Sequence, residues 1–116
     1  MILKKNAYST PQGAVTITAG SGYTVSNNNS KCVNNGLVII NIVFRGSIPN
    51  SWVVIGSVPS GYKPNTYATL AAAITSTGSY VGAECYIDTS TGDIYFRASS
   101  ASSSTSTIMV TGAYCI

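Results

Sequence analysis

The sequence predicts an all-β protein, an antiparallel, jelly-roll-like β-sandwich of about eight strands. Short runs rich in β-branched and aromatic residues recur along the 116-residue chain, and clusters of glycine, serine, threonine and asparagine separate them. Hydrophobic residues make up 45% of the chain, which suffices for the core of a single domain. We therefore expect a single β-sandwich domain at residues 14–116, preceded by a short N-terminal segment at residues 1–13.

The individual strands follow from alternating apolar and polar residues and from the turns between them. Strands are predicted at residues 14–18, 23–25, 37–45, 52–58, 67–75, 80–88, 93–98 and 107–115. Turn-forming clusters lie at residues 19–22, 26–30, 46–51, 57–66, 76–79, 89–92 and 99–106. Residues 67–74 also fit a helical stripe, but their turn-rich flanks favour a strand. Residues 99–106 are low in complexity, which favours an exposed loop.

A hairpin within residues 80–98 is the clearest piece of local structure. Residues 89–92 form a four-residue loop, so that Asp88 pairs with Asp93 and Glu84 lies opposite Arg97. Alternation then gives the hairpin two different faces. The core face carries Ala83, Cys85, Ile87, Ile94 and Phe96, and the outer face carries Glu84, Tyr86, Tyr95 and Arg97.

The strand at residues 37–45 differs because both of its faces are apolar. Leu37, Ile39 and Val43 face one way, and Val38, Ile40, Ile42 and Phe44 face the other. A strand in a two-layer sandwich needs only one apolar face, so the second should meet a loop, an N-terminal segment or another subunit. The short chain favours an oligomer interface, formed by Leu37, Ile39, Asn41 and Val43. Asn41 would need a hydrogen-bond partner within that contact.

Charge and residue types argue against several functions. The net charge of +3 comes from six scattered basic residues, which do not form the basic face that nucleic-acid binding requires. The chain has no histidine and three carboxylates, so we expect no enzyme, no metal site and no cofactor. Glu84 and Asp88 share a strand face, as a glycosidase pair does, but Arg97 opposite Glu84 makes a cross-strand salt bridge the simpler interpretation.

The cysteines and the N-terminal segment indicate where the protein is made. Cys32, Cys85 and Cys115 lie far apart and form no Cys-x-x-Cys pair, which favours free, mostly buried thiols. A Cys32–Cys115 or Cys85–Cys115 disulfide remains open. Residues 1–11 contain two lysines without a following apolar segment, and the apolar run at residues 37–44 is too short to span a bilayer. We expect cytoplasmic synthesis without a signal peptide and no membrane insertion.

Aromatic side chains supply the candidate binding residues. The chain has eight tyrosines and two phenylalanines, and tyrosine suits binding surfaces because its rigid ring has a polar tip. Tyr86 and Tyr95, between Glu84 and Arg97, could stack on a sugar ring while the charged groups bind its hydroxyls. The alternative is cross-strand packing or a subunit contact. Trp52 completes this candidate carbohydrate site, although an anchor in the core or at its rim is the alternative for it.

Four segments in order resemble a known family. They are GLVIINIVFRG, WVVIGSVPSGYKP, AECYIDTSTGDIYF and IMVTGAYCI, between Gly36 and Ile116. Together they resemble the C-terminal head domains of tail-fibre and baseplate proteins from phages of Gram-positive bacteria. The most specific elements are Pro59, Gly61, Tyr62 and Pro64 in one turn, and Thr91, Gly92 and Ile94 in another. In the first turn we expect Pro59 to end a strand, Gly61 to allow a positive φ and Tyr62 to pack under the corner.

The resemblance implies a function that the residues alone do not give. Such a head, here residues 14–116 after a connector at residues 1–13, forms a homotrimer at the tip of the phage tail. It contacts other tail or baseplate subunits and binds a saccharide of the host cell surface without catalysis. Its implied location is the virion, after synthesis in the host cytoplasm. The alternative is a purely structural trimerising module of a phage tail or virion that has protein partners only.

Overall fold

The computed structural model describes residues 13–33, 36–74 and 82–116. These residues form an antiparallel sheet that curls into a half-barrel, which confirms the all-β, sandwich-like prediction. The described residues contain ten strands, and a 3-10 turn follows the sixth. The strands are β1 (Gly13–Ala14), β2 (Thr18–Ala19), β3 (Thr24–Asn28), β4 (Lys31–Val33), β5 (Leu37–Ile48), β6 (Val53–Ser57), β7 (Ala68–Ile74), β8 (Ala83–Ile87), β9 (Asp93–Ala98) and β10 (Ser102–Cys115), and the turn is Ser60–Tyr62.

The strand order divides the sheet into two layers that share β7. Along the sheet the order is β1-β4-β5-β10-β7-β8-β9-β6-β2, and β3 pairs with β5 beside β4. Residues 71–74 of β7 pair with β10, whereas residues 68–70 pair with β8. We call β1, β3, β4, β5 and β10 the first layer, and β8, β9, β6 and β2 the second layer.

The core lies between these layers and consists of the inward side chains of each strand. Every second residue of β5 is buried, as a half-buried strand requires. Gly56 of β6 lies close to β5, since a Cβ added there would come within 2.8 Å of the Phe44 ring. The largest fully buried side chains are Phe44, Phe96, Ile40, Ile42, Ile48, Ile55, Ile87, Ile94, Ile108, Val15, Val38 and Val110.

The N-terminal strands differ from the prediction because the chain changes layers there. The single strand predicted at residues 14–18 is wrong: Gly13 pairs with Cys32 in the first layer, and Thr18 pairs with Ser57 in the second. Between these two short strands, Val15 and Ile17 are buried in the core. The strand β4 was not predicted, because its three residues are too few to show a clear alternation.

The serine-rich segment is largely strand, so the predicted loop at residues 99–106 is wrong from Ser102 onward. Ser102 lies opposite Ile48 and Ser106 opposite Gly46, with an irregularity in the register between them. The predicted turn at residues 46–51 is wrong in the same way, because β5 continues to Ile48. Pairing between these two extensions satisfies backbone groups that a loop would leave to water, and this outweighs the weak strand preference of serine.

Other predictions are confirmed or fall outside the described residues. The segment that also fitted a helix is the strand Ala68–Ile74, as predicted. Residues 1–12 of the predicted connector, the predicted turn at 76–79 and the predicted strand ends at 75 and 80–81 lie outside the described residues.

The cysteines are free, as predicted. Cys32 and Cys85 are buried and Cys115 is exposed. Cys32 lies opposite Val38 on the core side of β5, whereas Cys115 lies opposite Leu37 on the outer side. Burial raises the pKa of the Cys85 thiol to about 12 and also raises the pKa of Cys32. Both thiols therefore stay protonated at neutral pH and behave as small apolar groups.

The corner after β6 matches the predicted turn in most respects. Pro59 precedes the 3-10 turn, and the Tyr62 N–H donates to the Pro59 carbonyl at 2.9 Å. Tyr62 packs against the core, and the Tyr114 hydroxyl donates to its carbonyl at 2.6 Å. The expectation for Gly61 is wrong, because its φ is not positive; it lies within the 3-10 turn instead. The corner is held by backbone and core contacts.

Candidate functional site

The β8–β9 hairpin places the predicted site residues as the sequence indicated. Glu84 lies opposite Arg97 and Tyr86 opposite Tyr95, which confirms the predicted register. The loop closes through two 2.9 Å hydrogen bonds, in which the Asp88 N–H donates to the Asp93 carbonyl and the Gly92 N–H donates to the Asp88 carbonyl. Gly92 has a φ of 76°, a conformation that favours glycine. Loop and alternation together orient the outer face of the hairpin.

The Asp88 side chain is engaged within this loop. Its Oδ1 accepts hydrogen bonds from the Ser90 hydroxyl at 2.7 Å, the Ser90 N–H at 2.8 Å and the Thr91 N–H at 3.0 Å. The hydroxyl of Ser90, followed by the backbone N–H groups of Thr91 and Ser90, lowers the pKa of Asp88 to about 2. Asp88 is therefore ionised at neutral pH, and its role is to stabilise the hairpin loop.

Three tyrosines form a stack across β7, β8 and β9. The ring centroids of Tyr86 and Tyr95 lie 5.0 Å apart with an interplanar angle of 9°, and those of Tyr67 and Tyr86 lie 5.0 Å apart at 18°. Tyr67, which the sequence analysis did not select, precedes β7 and projects to the outer side together with Thr69. Tyr67 is 67% exposed, so the outer end of the stack faces solvent.

Trp52 and Arg97 extend the stack into a larger cluster. The Trp52 ring meets the Tyr86 ring edge-on, with centroids 5.0 Å apart and an interplanar angle of 75°. The Arg97 guanidinium carbon lies 4.6 Å from the centroid of the Trp52 ring. Arg97 also donates from Nε and Nη2 to Glu84 Oε1, each at 2.8 Å, which confirms the predicted salt bridge. We call this surface the aromatic face; it comprises Trp52, Tyr67, Tyr86, Tyr95, Glu84 and Arg97.

These contacts change how the aromatic face can bind a ligand. Tyr86 has an aromatic neighbour on each side of its ring, and Arg97 covers one side of Trp52. A sugar therefore cannot stack on the Tyr86 ring in the manner expected from the sequence. The tyrosines instead present ring edges and hydroxyl groups, and Tyr67 keeps most of its surface open.

The hydroxyl groups of the stack are available for hydrogen bonding. Within the part of the chain that the structure describes, those of Tyr67, Tyr86 and Tyr95 have no protein hydrogen-bond partner. Partial burial raises the pKa of Tyr86, and the neighbouring phenols and the Asp88 carboxylate raise it further. Tyr86 is thus a neutral phenol at physiological pH, able to donate and to accept a hydrogen bond.

Two grooves lie along the aromatic face. The aromatic groove, about 230 Å³ in volume, is lined by Trp52, Tyr67, Thr69, Leu70, Ala83, Glu84, Cys85 and Tyr86. The polar groove, about 520 Å³ in volume, is lined by Asn50, Gly82, Ala83, Glu84, Arg97, Ala98 and Ser99. Ala83 and Glu84 line both grooves, so the two are contiguous.

The outer side of the first layer carries the predicted interface residues. Leu37, Ile39, Asn41 and Val43 all project outward from β5, opposite to its buried residues. Across the pairing with β10, Met109 lies opposite Val43, Thr111 opposite Asn41, Ala113 opposite Ile39 and Cys115 opposite Leu37. Leu37 is 36% exposed and Met109 is 43% exposed. We call these eight residues the apolar face.

Comparisons with protein-family models, with curated proteins and with solved structures each found no match for this chain. The resemblance to phage head domains therefore stays a prediction based on the four sequence segments. Among the described residues, no helix is long and apolar enough to cross a membrane, and no cluster of cysteine and carboxylate side chains could hold a metal ion.

Proposed function

We propose that this chain is the head domain of a phage tail-fibre or baseplate protein, and that it binds carbohydrate on the surface of the host bacterium without catalysis. The observation that carries the binding proposal is the row of three tyrosines whose hydroxyl groups have no protein partner among the described residues. Sugars are dense in hydroxyl groups, and a row of tyrosine hydroxyls offers them hydrogen-bonding groups on a rigid apolar support.

The chemistry of the carboxylates supports a binding role. Glu84 is paired with Arg97, and Asp88 is hydrogen-bonded within its own loop. A general acid in a glycosidase needs a carboxyl group whose pKa is raised, whereas the pKa of Asp88 is lowered. The Glu84–Arg97 pair is better suited to orient sugar hydroxyls by charge-assisted hydrogen bonds.

The phage context comes from the sequence resemblance and includes the remaining partners. In this proposal the protein is made in the host cytoplasm, assembles as a homotrimer with other tail or baseplate subunits and acts at the tail tip of the virion. Neither nucleic acid nor a membrane is a partner.

Binding of the purified protein to a glycan array and to Gram-positive cell envelopes tests this function. We expect saccharide binding that Tyr67→Ala weakens by roughly threefold to tenfold, since one exposed aromatic contact is lost. The control is Thr24→Ala, an exposed position on β3 of the first layer, which should leave binding unchanged. Absence of binding to every saccharide and every envelope would contradict the proposal.

The apolar face favours a second candidate function, a structural module that trimerises or attaches to other virion proteins. Leu37 and Met109 leave apolar surface exposed next to Ile39, Val43 and Ala113. Apolar surface of this kind, although the polar Asn41 and Thr111 lie in its middle, marks a protein interaction site more often than a site for polar ligands. In this alternative the partners are protein subunits only.

Light scattering tests the second candidate function, because it measures whether the protein forms a trimer. We expect a trimer, and we expect Ile39→Asp to yield a folded monomer because the substitution places a charge in the contact. Thr69→Asp introduces the same charge on an exposed position of the other outer surface and should leave the trimer intact. If the Ile39→Asp protein stays trimeric, the contact lies elsewhere on the molecule.

A further inference from the structure

We propose that the ligand is an uncharged oligosaccharide of at least two sugar residues that lies across both the aromatic and the polar groove. This inference rests on the proposed carbohydrate function and specifies the class of saccharide. Three features of the aromatic face carry it: the continuity of the grooves, their different chemistry and the distribution of charge around them.

The grooves form one continuous surface along β8. Glu84 and Tyr86 project outward on this strand, and Gly82 precedes them on the same side. From Gly82 to Tyr86 the strand advances by about 13 Å, which is longer than a single pyranose ring. Glu84 lies midway and lines both grooves. A single sugar fills one end, whereas a chain reaches both.

The two ends offer different contacts. The aromatic groove presents the exposed Tyr67 and the edge of Tyr86, which suit the apolar face of one sugar and its hydroxyl groups. The polar groove presents Asn50, Ser99 and the Glu84–Arg97 pair, which suit the hydroxyl or acetamido groups of the next sugar. Gly82 has no side chain, and this leaves space for the ligand beside Ser99.

The charges around the grooves favour an uncharged chain. Arg97 is engaged by Glu84, so an anionic group would find no free cation there. Asp88 lies close enough to Tyr86 to raise its pKa, which adds negative charge at the aromatic end. Among the other described basic residues, Lys31 and Arg45 lie on the first layer, and Lys63 lies beside Gly92 at the hairpin loop, outside both groove linings. The grooves themselves therefore offer no unpaired cation to a phosphate-bearing or carboxylate-bearing polymer.

An organic cation is a poor fit to the same surface. A cage for a quaternary ammonium group needs open aromatic faces. Here Tyr67 and Tyr95 cover the two sides of Tyr86, and Arg97 already occupies one side of the Trp52 ring. The aromatic groups are arranged to present edges and hydroxyls, which are groups that recognise sugars.

A chain-length series tests the inference directly. The probes are linear hexose and N-acetylhexosamine chains of one to four residues on a glycan array, each with a matched chain that carries phosphate or carboxylate groups. Affinities of the saccharides that bind are then measured by calorimetry. We expect affinity to rise roughly tenfold from the monosaccharide to the di- or trisaccharide, and the charged chains to bind no tighter than their uncharged counterparts.

A steric variant separates the two grooves. Gly82 does not have a positive φ, and a Cβ added there would lie 3.7 Å from the Ser99 hydroxyl oxygen, an ordinary contact. Gly82→Gln therefore fills the polar groove without backbone strain, and Thr24→Gln, which adds the same side chain at an exposed position of β3 in the first layer, is the matched control. Gly82→Gln should abolish the gain in affinity with chain length and so weaken the longer chains more than the monosaccharide, while Thr24→Gln should leave the binding of every chain length unchanged.

The other outcomes overturn the inference in distinguishable ways. Equal affinity for a monosaccharide and its longer chains, or equal losses for all lengths in Gly82→Gln, would reduce the site to one sugar and leave the proposed function standing. Tightest binding of a phosphate-bearing or carboxylate-bearing chain would refute the uncharged ligand. Failure of every saccharide and every envelope to bind would refute the proposed function and this inference together.

Discussion

The apolar face and the aromatic face are both outer surfaces of the sheet, but their side chains relate differently to their neighbours. On the aromatic face, Tyr86 stacks between two other tyrosines and Arg97 covers the Trp52 ring. On the apolar face, Leu37 and Met109 are 36% and 43% exposed, which is close to the 38% of Trp52 and below the 67% of Tyr67. The two surfaces therefore differ in chemistry more than in exposure: one presents aromatic rings that contact each other, and the other presents aliphatic side chains.

The two surfaces therefore suit different partners. Packed rings leave hydroxyl groups and ring edges for a ligand, so the aromatic face suits a polar, hydroxyl-rich molecule. Exposed aliphatic groups gain most when another apolar surface covers them, so the apolar face suits a protein subunit. Substitutions confined to one face measure the contacts of that face separately.

The largest expected difference in stability is between substitutions of a core residue and of an outer residue on the same strand, β9. Phe96→Ala should lower the free energy of unfolding by about 3–5 kcal/mol, because Phe96 is fully buried and leaves a cavity. Tyr95→Ala, one residue away on the aromatic face, should cost about 0.5–1.5 kcal/mol through its lost stack with Tyr86. Urea unfolding measures both. Equal losses would mean that the aromatic face is part of the core.

A smaller difference in stability is expected between substitutions on the two outer faces. Trp52→Ala should cost about 1–2 kcal/mol, because it removes the edge contact with Tyr86 and the contact with Arg97. Leu37→Ala should cost less than about 0.5 kcal/mol in dilute, dissociated protein. A double-mutant cycle of Trp52→Ala and Arg97→Ala isolates their coupling, expected at about 0.5–1 kcal/mol. Zero coupling would show that the aromatic face is no more packed than the apolar one.

Acid should lower the stability of the protein through the hairpin of the aromatic face, which carries all three acidic side chains of the chain, Glu84, Asp88 and Asp93. The pKa of Asp88 in the folded protein is about 2, below its value of roughly 3.9 in an unfolded chain. The stability from Asp88 is therefore complete above about pH 4 and is lost as the pH falls towards 2.

Carboxyl NMR shifts and urea unfolding between pH 2 and pH 7 measure this acid effect. Ser90→Ala removes the strongest contact to the carboxylate and should raise the pKa of Asp88 towards its usual value. An Asp88 pKa near 4 in the unchanged protein would show that the loop does not hold the carboxylate as described.

The smallest expected effect concerns the exposed salt bridge on the aromatic face. Glu84→Gln should change stability by no more than about 0.2–1 kcal/mol, because the Arg97 and Glu84 side chains are 42% and 63% exposed and water screens their attraction. The difference should shrink in high salt, which thermal unfolding at two salt concentrations can measure. A larger, salt-insensitive loss would indicate that the pair is shielded from water.

The sequence was most informative where contacts are local. The β8–β9 register follows from the four-residue loop and from a period of two residues, so the Glu84–Arg97 pair and the Tyr86–Tyr95 pair could both be derived. The same alternation correctly separated the buried and outer residues of β5. Short-range geometry thus sufficed to place four of the five predicted carbohydrate residues on one surface.

Contacts between strands distant in sequence could not be derived. Tyr67 joins the stack because β7 pairs with β8, and Trp52 reaches Arg97 because β6 pairs with β9. Register irregularities such as the one between Val54 and Gly56 shift side chains by a residue and leave no clear pattern in the sequence. The resulting stack also determines that Tyr86 presents its edge rather than its ring face.

The position of β10 has a consequence for how the chain acquires its structure during synthesis. β10 lies between β5 and β7 in the sheet, although it follows both of them in the sequence. The sheet therefore cannot be continuous until β10 has been synthesised. Until then the backbone groups on one edge of β5 have no strand partner and stay open to water and to other nascent chains. We expect completion of the fold to depend on release of residues 102–115 from the ribosome, and chaperones to act mainly before that moment.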